Sequence, residues 1–175
     1  MSESNIVRQF GDIAPTIIGS NEKRPVPAQN KDERQKITEL MRSVQKGCAD
    51  GDMEETGDGE EFLTHYFAPG VYCREYFLKA GSLIIGKIHK TAHMSIISMG
   101  KVTVRTQYGF ETIEAPHTWM SEIGTQRAIF AHEDTLWTTI HPTDLTDIDE
   151  IVETLATDTY DDIDALLLEQ DGDKI

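Results

Sequence analysis

Between residues 62 and 141 apolar side chains recur at every second position in short runs, each closed by a residue that favours chain reversal. Such alternation marks strands with one face buried. Nine strands are expected, over 62–67, 71–78, 82–89, 95–98, 101–107, 110–115, 118–121, 127–131 and 136–141. The turns between them fall at Pro69 and Gly70, Ala80 and Gly81, Met99 and Gly100, and Tyr108 and Gly109. So many short strands at this spacing predict a sandwich or a jelly-roll barrel. The period changes on either side. Ile37, Leu40, Met41 and Val44 recur at helical intervals after Asn30, which has Glu33 three places on as in a capping box; Gly47 is the expected stop. After the strands, Thr146 is the expected cap of a helix carrying Ile148, Ile151, Val152 and Leu155. A second helix from Thr159 carries Ile163, Leu166 and Leu167. Residues 1–29, with Pro15, Pro25 and Pro27, follow neither period and predict an extended arm, while 49–61 predict an acidic loop. The chain therefore divides into an arm (1–29), a helix with an acidic loop (30–61), a β-barrel (62–143) and an acidic helical tail (144–175).

A chain of 175 residues suits one such core. Its formal net charge of −15 is distributed unevenly, with −5 on residues 1–61, +1 on 62–143 and −11 on 144–175. An acidic envelope repels phosphate backbones and anionic lipid, so neither direct nucleic-acid binding nor a membrane is expected. Cys48 and Cys73 lack any paired-ligand spacing and read as free thiols. The first residues lack the basic start and apolar run of a signal peptide, so secretion by that route is not expected. The apolar helix stripes and the arm suit burial between copies, which predicts a homo-oligomer.

Gly81, Lys87, His89, His93 and Gly100 are spaced as G-x5-K-x-H-x3-H-x6-G, and Pro116, Glu122, Gly124, Arg127 and Ala131 follow in a second cluster. In these residues the chain resembles the cupin family, whose motifs are G-x5-H-x-H-x(3,4)-E-x6-G and G-x5-P-x-G-x2-H-x3-N. The glycine frame of the first is kept, but Lys87 stands at its first His, His89 at its second and His93 at its Glu. Of the second only Gly124 is kept, and Arg127 stands at its His. Over about residues 60–145 the chain is similar to small cupin-like proteins of tailed bacteriophages. That resemblance implies a mainly β, cupin-like jelly-roll barrel. It also implies a place in the host cytoplasm or virion, with other virion or phage proteins as partners.

Three readings of the altered ligand set follow. If the strand over 82–89 continued unbroken to His93, Lys87, His89 and His93 would share one face. His89 and His93 could then hold one divalent metal, completed by Glu75, His132 or water. Alternatively Lys87, Arg127 and Arg74 could grip a carboxylate or phosphate while the histidines supply hydrogen bonds. Third, Arg127 could pair with Glu75 or Glu122, leaving the histidines to satisfy backbone groups. His132, Glu133 and Asp134 read as a polar turn, His141 as a local contact before Pro142, His65 as a satisfied strand histidine, and Trp119 and Trp137 as core. Asp50, Asp52, Glu54 and Glu61 imitate a calcium loop, but Glu55 occupies the place that needs glycine. No phosphate-cradling loop, nucleophile elbow or HExxH helix occurs. The expected function is a non-catalytic, oligomeric structural or accessory virion-associated subunit, with no catalytic residue assigned. The alternatives are a metal-dependent enzyme built on His89 and His93, and an anion- or nucleotide-sequestering protein built on Lys87 and Arg127.

Overall fold

The computed structural model describes residues 31–51 and 62–172. The expected arm, the Asn30 cap and most of the acidic loop, with Asp52, Glu54, Glu55 and Glu61, lie outside the described residues. Within them the chain runs α1 (Lys31–Asp50), β1 (Leu63–Ala68), β2 (Val71–Leu78), β3 (Leu83–Ile85), β4 (Ile88–His89), β5 (His93–Met99) and β6 (Lys101–Thr106). It continues through β7 (Gly109–Glu114), β8 (His117–Ser121), β9 (Ala128–Ala131), β10 (Thr135–Pro142), α2 (Ile148–Leu155), β11 (Ala156–Thr157) and α3 (Tyr160–Gly172).

The fold is mainly β, in antiparallel sheets. One sheet has the order β1-β2-β10-β5-β8 and faces another of order β3-β9-β6-β7, with a small β4-β11 pair beside them. In each large sheet early and late strands become neighbours, as β2 with β10 and β5 with β8 in one and β3 with β9 in the other. Alternation along each strand sends one set of side chains between the sheets. There Leu78, Ile97 and Trp137 of the first sheet meet Val102, Val104, Ile113 and Ala131 of the second. The turn from β5 into β6 packs tightly against the start of β10. At that turn Gly100 has φ +91°, and a Cβ there would lie 2.3 Å from Thr135 Oγ1 and 2.4 Å from the Asp134 carbonyl.

Three local expectations need correction. Helix α1 does not stop at Gly47 but runs to Asp50. Its terminating glycine is Gly51, at φ +77°, a left-handed conformation in which Gly carries no Cβ penalty. The cap of α2 is Asp147, one residue beyond Thr146, and its carboxylate accepts from the Glu150 amide at 3.1 Å. The run 82–89 is broken at Gly86 and Lys87 into β3 and β4, and 90–92 separate β4 from β5, so no continuous strand joins Lys87 to His93.

The helices clasp the barrel, and α2 builds a smaller second core on it. Ile151 and Leu155 of α2 pack on Tyr72 at the end of β2, while Ile37 of α1 and Ile163 of α3 are fully buried. Burial of each of these isoleucines contributes about 1.5–3 kcal/mol. Arg34 ties α1 to α3 through two 3.0 Å bonds to Asp164 and lies 4.3 Å from the Tyr160 ring centroid. Among the described residues no helix is long and apolar enough to cross a membrane.

Candidate functional site

Register orders the inner face of the larger sheet into rows. Antiparallel pairing sets Tyr72 beside His141 and Arg74 beside Thr139, then Tyr76 beside Trp137 and Leu78 beside Thr135. Across the next two strand pairs, Ser95 neighbours Thr139 and Trp119, while His93 neighbours Ser121. The outermost row is polar (Tyr72, His141, His93, Ser121), the next is mixed (Arg74, Thr139, Ser95, Trp119), and the rows beyond merge into the apolar core. The barrel is thus polar at one mouth and apolar at the other end.

The opposite wall supplies His89 and Arg127. The Gly86 amide donates to the Arg127 carbonyl at 2.9 Å, and the His89 amide donates to the Thr125 carbonyl at 3.1 Å. These bonds continue the β3–β9 pairing past the break and aim both side chains inward. His89 packs against His93 at a tilt of 42° with ring centroids 4.2 Å apart, and His93 stacks on His141 at 4.5 Å. The Arg127 guanidinium carbon is 5.6 Å from the Trp137 ring centroid, and its Nη2 donates to the Ser121 hydroxyl. Arg127 is only 6% exposed. Among the described residues no carboxylate pairs with it, and burial alone lowers its pKa, to about 10.

The three histidines feel the same environment. Burial is the main cause that holds His89 well below its ordinary pKa, brings His93 to about 3 and brings His141 to about 4; Arg127 and Arg74 push each further down. All three are therefore neutral near pH 7. His93 Nδ1 lies 3.3 Å from the Thr91 carbonyl. That contact fixes the N–H on Nδ1 and leaves a lone pair on Nε2. His93 Nε2, His89 Nδ1 and His141 Nδ1 are buried without a hydrogen-bond partner. A depressed histidine pKa makes the unfolded chain bind more protons than the folded one between the folded and unfolded pKa values. Stability is therefore complete above about pH 6.5 and declines as pH falls toward 4 and 3. Thermal melts across that range should show Tm falling with pH, and His141→Asn should flatten the decline; a pH-independent Tm would contradict this electrostatic picture.

Two cavities meet here. A chamber of about 80 Å³ inside the barrel is walled by Arg74, His89, Arg127, Trp137 and Thr139. It adjoins a cleft of about 730 Å³ between the barrel mouth and α2, and Arg74, Ile84 and His89 are common to both.

Of the residues expected at the site, His89, His93 and Arg127 come together, with Arg74 lining the same chamber. Lys87 borders both cavities, but it is exposed and its amine is bound to Asp158 at 2.7 Å. Glu75 lies on the other face of β2, where it accepts from Tyr66 Oη at 3.3 Å and Thr138 Oγ1 at 3.4 Å. His132 lies in the bend after β9 and meets Thr103 Oγ1 at 2.7 Å. Neither Glu75 nor His132 approaches the imidazoles. Sequence reasoning missed His141 and Ser121. A signal for His141 was present, because Trp137, Thr139 and His141 alternate along one strand face.

The resemblance stated above implies a divalent metal, and the imidazole lone pairs are the right donor type. The arrangement does not fit one. Among the described residues no three His, Cys, Asp or Glu side chains are grouped to hold a metal ion. Two guanidiniums also share the chamber that a cation would occupy, and Arg127 cannot act as a ligand.

No family model matches the chain, and no curated protein matches it. Solved structures do. Ectoine synthase from P. lautus is 11% identical, covering 57% of this chain and 86% of that one, with a TM-score of 0.45. KdgF from Halomonas sp. is 11% identical over 56% and 90%, with a TM-score of 0.42. A cupin-2 domain containing protein from Shewanella frigidimarina is 12% identical over 46% and 79%, with a TM-score of 0.40. At these values the likenesses carry no residue role, ligand or activity.

Proposed function

We propose that this protein is a cupin-like barrel that binds a small organic anion, through a carboxylate or phosphate group seated against Arg127 and Arg74. The observation that carries this reading is the buried guanidinium of Arg127, which has Ser121 as its hydrogen-bond partner and no carboxylate beside it among the described residues. Desolvating a cation costs several kcal/mol unless a counter-charge arrives. A bound anion supplies that charge, and the planar fork of arginine matches two of its oxygens.

His89 lines the inner chamber, and His141 lines the cleft it adjoins. Neutral His89 and His141 each have a ring nitrogen free to donate. His93 differs, because its N–H is turned to the Thr91 carbonyl and its free nitrogen is Nε2. It packs against His89 and His141 and lines neither cavity, so it positions those two rings and does not itself meet the anion. Titration calorimetry with acetate and inorganic phosphate measures binding directly. Absence of heat and of any thermal shift with either anion would overturn the reading.

An assembly role draws its support from the arm, which lies outside the described residues, and from the apolar helix stripes, whose Ile37, Ile151, Leu155 and Ile163 are already buried within the single chain. A metal-dependent reaction would need the cation that the paired guanidiniums disfavour. Anion binding uses the buried charge of Arg127 and the unpartnered ring nitrogens of His89 and His141.

A further inference from the structure

We infer that the anion carries a single charged head and an apolar body, with the head in the inner chamber at Arg127 and the body in the cleft beneath α2. This rests on the anion-binding reading above and names the class of ligand.

Size is the first argument. The inner chamber of about 80 Å³ accommodates a carboxylate or phosphate group and little else. The cleft it adjoins, at about 730 Å³, is in the range of pockets that hold whole organic ligands, roughly 300–1,000 Å³. A ligand that filled the chamber alone would leave the cleft unused.

Chemistry of the walls is the second. From the chamber outward the lining passes to Tyr76 and Ile84, then to Leu63 on β1 and to Ile148 and Val152 on α2. At the rim Lys87 is paired with Asp158, and the Lys90 amine, which keeps its charge, donates to the Glu153 carbonyl at 2.7 Å. Asp149, Glu153 and Asp158 also border the cleft. Three carboxylates against these two lysines leave the rim net negative. It therefore disfavours a second anionic group and favours a monoanionic amphiphile.

Titrating the full chain with acetate, hexanoate, octanoate, octyl phosphate and octanol tests this. Affinity should rise about three- to fourfold per methylene along the carboxylate series, as expected for burial of apolar chain. Octanol should bind far more weakly than octanoate, and the octanoate-to-octyl phosphate ratio identifies the preferred head. Val152→Asp should weaken octanoate about tenfold or more while leaving acetate unchanged, and retained acetate binding also shows that the variant is folded. Equal affinities for acetate and octanoate would overturn the apolar body while sparing the anion site. Octanoate binding unaffected by Val152→Asp would overturn its placement under α2. Failure of every anion, acetate and phosphate included, would remove the underlying reading as well.

Discussion

Replacing Arg127 with methionine is expected to abolish anion binding and, in the ligand-free protein, to raise the melting temperature. These effects have opposite signs because they arise from the same charge. In the free protein Arg127 is 6% exposed and its guanidinium has no counter-ion among the described residues, so its desolvation is uncompensated. Exchanging a buried ionic group for an apolar side chain of similar length is commonly neutral or stabilising by about 1–4 kcal/mol. The exchange leaves no new unsatisfied partner, since Ser121 keeps its 3.0 Å bond to Ser95. It also removes the positive charge that helps to depress His89, His93 and His141, so the loss of stability on acidification should become shallower. With ligand the balance reverses: loss of a buried charge-assisted contact corresponds to about 100-fold or more in affinity. Paired melts and titrations of wild type and Arg127→Met are decisive. A variant that melts lower, or that still binds anion as wild type does, is incompatible with a guanidinium held in reserve for a ligand.

Gly100→Ala should damage stability more than any surface change. The added methyl carbon would lie 2.3 Å from Thr135 Oγ1, 2.4 Å from the Asp134 carbonyl and 2.7 Å from Thr135 Cα. Two of those atoms are backbone and cannot swing aside. The residue would also be forced to keep φ +91°, a conformation that side-chain-bearing residues adopt at a cost. Strain and overpacking together correspond to about 3–5 kcal/mol, read as a lowered denaturant midpoint with an unchanged slope. A loss below about 1 kcal/mol would show that this turn does not pack tightly against the start of β10.

Much of the fold was legible because strand burial leaves a period-two trace. The expected run 71–78 coincides with β2, and the expected strands from 101 to 141 each match an observed one within two residues at either end. Errors fell where local chemistry offered two neighbouring solutions. Gly47 and Gly51 are both plausible helix stops, and the choice went to the one that leaves a further turn of α1 intact. Thr146 and Asp147 can both cap, and the carboxylate is the better acceptor beside the α2 amides. The β4–β11 pairing, Ala156 with His89 and Thr157 with Ile88, was invisible because each strand is two residues long. The site was half legible. His89, His93 and Arg127 were recognisable from the glycine frame, since spacing within a motif survives loss of its ligands. His141 and Ser121 belong to distant strands, and only the register that seats His141 in the outer row and Ser121 beside His93 brings them in. Lys87 was misjudged as an inward group because the break at Gly86 turns it to the surface, where Asp158 holds it.

The gradient from polar rows to apolar rows has a kinetic corollary. With Leu78, Val102 and Trp137 filling the far end and the Gly100 turn pressed against Thr135, the vessel has a floor; apart from a cavity of about 270 Å³ that reaches Arg127 from the β7 and β8 side, it has a doorway onto the cleft. α2 stands over that doorway, moored by the Leu155 carbonyl to the Lys90 amide at 2.8 Å. A guest held beneath α2 would leave past that helix, so loosening the mooring is expected to shorten its stay.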